Sequence, residues 1–463
     1  MDLFTIAAIV ISLSAVFGYV NVRVLKLPNT IGLMVVAIAF TLFLFASSLF
    51  TDKLLDGART LIGSIDFETV LLKIMLGFLL FAGAMHTNFD QLKVQRWPVL
   101  VFATVGVLLS TFLVAIAVYY LFPKLGFELK FIHCLLFGAL ISPTDPIAVL
   151  GILKKCGVPK KLETKIVGES LFNDGVGVVV FLTIMTIATV GDNSHDHVHV
   201  DPAAADSAQV ESEEGTSEES EQHAADGHTH TADASVMGII RLFLQEVIGG
   251  IGFGMILGFA TYKLLKSIDN YEIEVLITLA CVMGGYSMAL WLHLSAPLAI
   301  VVAGLIVGHD TMRGTAMSQQ TEEYVDRFWE LMDIMMNAIL FVLIGLELLV
   351  VDFRTEYLQA GGMAIGIVLV CRYVSLLAPV MFFRKKLDFV PHTTAIMTWG
   401  GLRGGISIAL ALSLKADMNR ELFLAVTYVV VVFSIIVQAL TVGPLARKLI
   451  GSESMASEAS DGH

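Results

Sequence analysis

The chain is poor in charge. Only 15% of its 463 residues are Asp, Glu, Lys or Arg, where soluble proteins average about 25%. Hydrophobic residues make up 56%, and the mean hydropathy is +0.79. An ordinary soluble domain is excluded. The net charge of −13 argues against nucleic acid as a partner. Cysteine is also sparse. Cys134, Cys156, Cys281 and Cys371 stand singly in or beside apolar runs, which excludes a disulfide framework and fits small buried hydrophobes. No basic segment precedes the first apolar run at Leu3 and no clear cleavage site follows it, so it reads as a first span. The apolar runs hold no nucleophile–base pair, phosphate loop or metal motif. Neither an enzyme nor a cofactor is expected.

What is present is a series of apolar runs long enough to cross a bilayer. They lie near 3–22, 31–50, 66–85, 97–122, 131–152, 163–190, 236–265, 271–293, 295–309, 327–351, 357–382, 391–414 and 420–446. The expectation is an all-α polytopic membrane protein with about thirteen transmembrane helices. Lys and Arg total 17 in one alternate set of loops and 7 in the other. The richer set should be cytoplasmic, which places the N-terminus outside and the C-terminus inside a cell membrane. A short tail, 449–463, follows the last run.

Residues 191–235 contain no Lys or Arg, twelve Asp/Glu and six histidines. Such a segment should be disordered, and the topology puts it outside. His195, His197 and His199 have metal-ligand spacing, so a metal-scavenging loop is one reading; a solvated spacer is the plainer one.

The sixth run carries Glu169, Ser170, Asn173 and Asp174 within five residues. Ionisable groups at membrane depth cost about 2.5 kcal/mol or more each and usually serve a function. At 3.6 residues per turn these four share a short arc of helix, and all offer oxygen, the donor that hard cations prefer. In the fifth run, Pro143 and Pro146 flank Thr144 and Asp145. Two missing N–H donors should open the helix there, with Asp145 near the start of its second half. In the twelfth run, four glycines, Gly401 and Gly404 among them, surround Arg403 and weaken the helix by about 1 kcal/mol each. Each broken run is the middle one of three. Matching interruptions in two three-helix units point to an inverted-repeat transporter with its site where the units meet. Arg372, deep in the eleventh run, needs a partner, and Glu169 is the best candidate.

Glu-Ser-Leu-Phe-Asn-Asp-Gly at 169–175, Ser-Pro-Thr-Asp-Pro at 142–146 and Gly-Gly-Leu-Arg-Gly at 400–404 together resemble the monovalent cation/proton antiporter superfamily, in its electroneutral sodium/proton exchanger branch. The resemblance implies an inverted-repeat fold with two crossing broken helices. Core helices at 97–190 and 352–448 would move against scaffold helices at 1–96 and 236–351, in a homodimer. By the same likeness Asp174 carries cation and proton in turn, and Ser170, Asn173, Thr144 and Asp145 form or hold the site. Glu169 pairs with Arg372, and Arg403 supports the crossing. Asn173, where electrogenic relatives carry a second Asp, suggests one cation per proton. The substrates implied are protons and sodium or lithium. Potassium/proton exchange, a cation channel and a membrane sensor are the competing readings. The acidic His-rich segment is no part of the family pattern.

Overall fold

A computed structural model describes residues 3–48, 52–63, 65–87, 89–145, 149, 151–153, 156, 158–193, 236–309, 318–351, 353–383 and 392–460. Pro146, the His195, His197 and His199 cluster and nearly all of 191–235 lie outside these residues. Among the described residues the architecture is helical throughout. Among the described residues nine helices are long and apolar enough to cross a membrane, and three shorter apolar helices accompany them. Two half-helices cover the twelfth run. The protein is a multi-pass membrane protein.

In chain order the helices are α1 Leu3–Val20, α2 Asn29–Ser47, α3 Lys53–Gly63, α4 Leu76–Met85, α5 Phe89–Val94, α6 Arg96–Val101, α7 Val107–Leu121, α8 Phe131–Ile141 and α9 Lys160–Asn193. They continue as α10 Val236–Lys266, α11 Tyr271–Trp291, α12 Ala296–Val307, α13 Gln319–Glu347, α14 Thr355–Phe383, α15 Thr393–Trp399, α16 Gly405–Leu412, α17 Arg420–Phe433 and α18 Ala439–Ser460. Among the described residues every apolar run falls mainly on helix, with gaps in the fifth and twelfth. α3 lies outside the runs: it is amphipathic, with Leu55 and Ile62 buried. Helix α18 continues to Ser460, well into the segment expected to be a tail.

One apolar cluster joins α7, α8 and α9 to α14, α16 and α17, with Phe137 of α8 stacked on Phe423 of α17 at 5.1 Å. Helix α13 packs with Ile408 of α16 and Tyr428 of α17 in a second apolar cluster, and it is bonded to helices on its other side. Thr41 of α2 donates to its Gly345 carbonyl at 2.7 Å. Its Trp329 donates Nε1 to Thr278 of α11 at 3.0 Å and packs on Phe81 of α4 at 4.6 Å. These bonds fix α13 as a wall facing the α7–α9 group.

Candidate functional site

The site forms where two helices stop. α8 ends at Ile141, because Pro143 has no N–H to continue it. Ser142 turns its hydroxyl back to the Gly138 carbonyl at 2.7 Å, with Ser110 Oγ at 2.9 Å. The chain then runs extended to Asp145. Opposite, α15 ends at Trp399 and α16 begins at Gly405. The two gaps cross: Asp145 N–H donates to the Leu402 carbonyl at 2.9 Å. Backbone that leaves a helix at membrane depth must find such partners inside the protein.

Two close approaches explain the glycines at this crossing. A Cβ at Gly404 would lie 2.7 Å from Asp145 Oδ2, so the Asp145 carboxylate sits against the N-terminal end of α16. A Cβ at Gly401 would lie 3.2 Å from both Arg372 Nε and Thr144 Cγ2. Arg403 serves the other helix end. Its Nη1 donates to the Gly401 carbonyl at 2.8 Å, and its backbone N–H donates to Ser434 Oγ at 2.8 Å. Gln438 Nε2 donates to the Trp399 carbonyl at 3.0 Å. A carboxylate at an N-terminus and a guanidinium near a C-terminus both complement the helix dipole.

Helix α9 lies across the proline gap. Asn173 binds it from both sides, accepting from Thr144 N–H at 3.3 Å and donating to Thr144 Oγ1 at 2.9 Å. Its amide is fully engaged and holds the gap in place. Ser170 Oγ donates to the Thr144 carbonyl. Glu169 Oε1 is 2.5 Å from Arg372 Nη2, with both side chains buried. Asn173 Nδ2 also reaches Glu169 Oε1 at 3.4 Å. Arg403 feels the charges of Arg372 and Glu169. Asp174 faces the charges of Asp145 and Glu169, and among the described residues no cation is paired with it.

A cavity of about 930 Å³ reaches this point. Asp174, Ser170, Thr144 and Asp145 line its inner end, and Pro143 and Gly404 also border it. It runs past Lys160 and Glu163 at the start of α9 and along α13. The α13 wall carries Asp326, Glu330, Asp333 and Asn337. Sequence reasoning missed these four, although three acids at i, i+4 and i+7 mark one helix face. It also missed Ser434 and Gln438, whose contact with the glycine gap has no local signal.

Two crossed, interrupted helices beside a cavity-lining carboxylate define an ion-coupled secondary transporter. Residues 11–448 match the family described as sodium/hydrogen exchanger, transmembrane, and the chain belongs to that family. It is 42% identical to the Na(+)/H(+) antiporter NhaP of Pseudomonas aeruginosa, over 97% of this chain and 98% of that one. It is 30% identical to the Na(+)/H(+) antiporter NhaH of Halobacillus dabanensis, over 92% and 93% of the two chains. Its fold matches that of the sodium proton antiporter MjNhaP1 from Methanocaldococcus jannaschii, with a TM-score of 0.69 and 18% identity over 97% of this chain and 100% of that one.

Proposed function

We propose that this protein exchanges sodium for protons across the membrane, one for one, by exposing Asp174 to the two sides in turn. The placement of Asp174 carries the reading. It is a carboxylate inside the fold, at the end of a cavity, facing two other carboxylates. In a low-dielectric site an anion without a counter-charge is unstable, and either a proton or a cation relieves it. The two ligands therefore exclude each other. An empty, charged Asp174 is too costly to carry across the barrier, so only loaded states change sides. That rule couples the two fluxes.

The charge balance supports a neutral cycle. Glu169, Asp145 and Asp174 face Arg372 and Arg403 around the crossing, three negative charges against two positive. One sodium or one proton brings the group to zero. Ser170 Oγ and the Thr144 carbonyl, already touching, offer neutral oxygens beside the carboxylates. In the orientation set by the loop lysines and arginines, the Lys160 end of α9 is cytoplasmic, so the cavity is inward-open. The helices at 97–190 and 352–448 would then move against those at 1–96 and 236–351. Exposed apolar side chains on α1 and α10, such as Phe4 and Ile256, suit contact with lipid or a second protomer. The setting we infer is a homodimer in the cell membrane.

Proton flux in proteoliposomes, compared in sodium, lithium and potassium with and without an imposed voltage, tests the reading. Sodium and lithium should drive flux at a rate that voltage leaves unchanged. Flux driven by potassium alone would make this a potassium exchanger. A rate that follows voltage would overturn the one-for-one cycle.

A further inference from the structure

The cavity that ends at Asp174 has a second polar wall, on a different helix. Asp333 and Asn337 lie one turn apart on α13 and line the same space as Asp174, Ser170 and Thr144. Asn337 is 3% exposed, and its Oδ1 has no hydrogen-bond partner among the described residues. Its Nδ2 donates to the Asp333 carbonyl at 2.9 Å and to Asp333 Oδ1 at 3.0 Å. These two bonds fix the amide, because the flipped orientation would set oxygen against two oxygens. The Asn337 oxygen is therefore held away from Asp333, buried, and accepts from none of the described residues. A buried acceptor left in this way is destabilising unless a ligand uses it. One turn further on, Leu340 packs against Gly405, the first residue of α16. Asn337 thus stands beside the crossing but on the opposing wall.

We propose that Asn337, oriented by Asp333, is a ligand for the entering monovalent cation, supplied by α13 and not by the helices that carry Asp174. The inference rests on the exchange reading above. An amide oxygen suits a hard cation in transit, since it replaces a water ligand without adding a charge that would trap the ion. Asp333 attracts the cation and aims the amide. Asp326 and Glu330, further back on the same helix, extend the attraction toward the mouth. The cation then passes to Asp174 as the proton leaves. Because Asn337 and Asp174 sit on different helices, the Asn337 contact is lost when α13 and α9 shift against each other, and the ion is left with Asp174.

The test is the sodium dependence of proton flux in proteoliposomes for the wild type, Asn337→Ala and Asn337→Asp. Asn337→Ala should raise the KM for sodium about tenfold, the size of one lost contact to a charge, with the maximal rate within about twofold. Asn337→Asp keeps an oxygen and should bring KM back to the wild-type value or below. If Asn337→Ala does not elute as folded protein, the near-isosteric Asn337→Leu takes its place with the same expectation. An unchanged KM in the variant without the oxygen overturns the proposal. So does a KM in Asn337→Asp as high as in Asn337→Ala, and so does a fall in maximal rate alone, which would assign Asn337 to packing. Absence of sodium-dependent flux in the wild type is a separate result, and it would refute the exchange reading itself.

Discussion

The two helix breaks do the same job with opposite chemistry. The break after α8 is made by proline and carries a carboxylate, Asp145. The break after α15 is made by glycine and carries a guanidinium, Arg403. Proline removes a donor and favours a break without forcing one, since Pro379 and Pro444 stay inside α14 and α18; at 142–146 two prolines stand three residues apart. Glycine only permits the break, so tertiary partners must hold it: Ser434 on the Arg403 N–H and Gln438 on the Trp399 carbonyl. The charges divide accordingly. Asp145 sits at the N-terminal end of α16, and Arg403 serves carbonyls past the C-terminal end of α15. One break is favoured by its prolines and the other held by context, and α9 is hydrogen-bonded to the first through Asn173 and Ser170.

The largest expected effect separates the breaks from the group they serve. Asp174→Asn should leave both breaks intact and lower sodium-driven proton flux by about a hundredfold or more, with normal elution as folded protein. Next comes the ion pair that lies behind both. Arg372→Ala strands Glu169 in the interior and should cost about 3–5 kcal/mol of stability, read from thermal unfolding in detergent. Adding Glu169→Gln to that variant should return part of the loss, since the stranded charge is gone. A smaller effect compares the breaks directly. Gly177→Ala sets a Cβ 2.2 Å from Pro143 Cγ and should cost about 1–3 kcal/mol. Gly401→Ala meets its neighbours at 3.0–3.2 Å and should cost less. An equal loss at both would remove the distinction drawn here. The smallest is Ser434→Ala, about 1 kcal/mol, since it removes one hydrogen bond at the glycine break and none at the proline break.

Much of this fold is legible in the chain because lipid imposes a simple code. A crossing helix must be long and apolar, so the described part of each apolar run is mainly helix, and Pro143 with its neighbouring proline marks one gap. The family follows from three motifs in order. The amphipathic α3 was not legible in the same way, since hydropathy alone skips a helix that is half polar. Nor was the wall of α13. Asp333 and Asn337 sit in a run that reads simply as a span, and only the packing of α13 on α2, α4 and α11 turns that face toward Asp174. Asn173 lies between these cases. Its sequence position marks it as a site residue, but only the structure shows both ends of its amide spent on Thr144.

The central claim is that sodium and a proton compete for one carboxylate. It can be read without any transport, from the protons released when sodium is added to the purified protein in weakly buffered detergent solution. The account predicts about one proton released per protomer from the wild type at saturating sodium, and none from Asp174→Asn. Sodium binding without proton release, or the same release from both proteins, would contradict it.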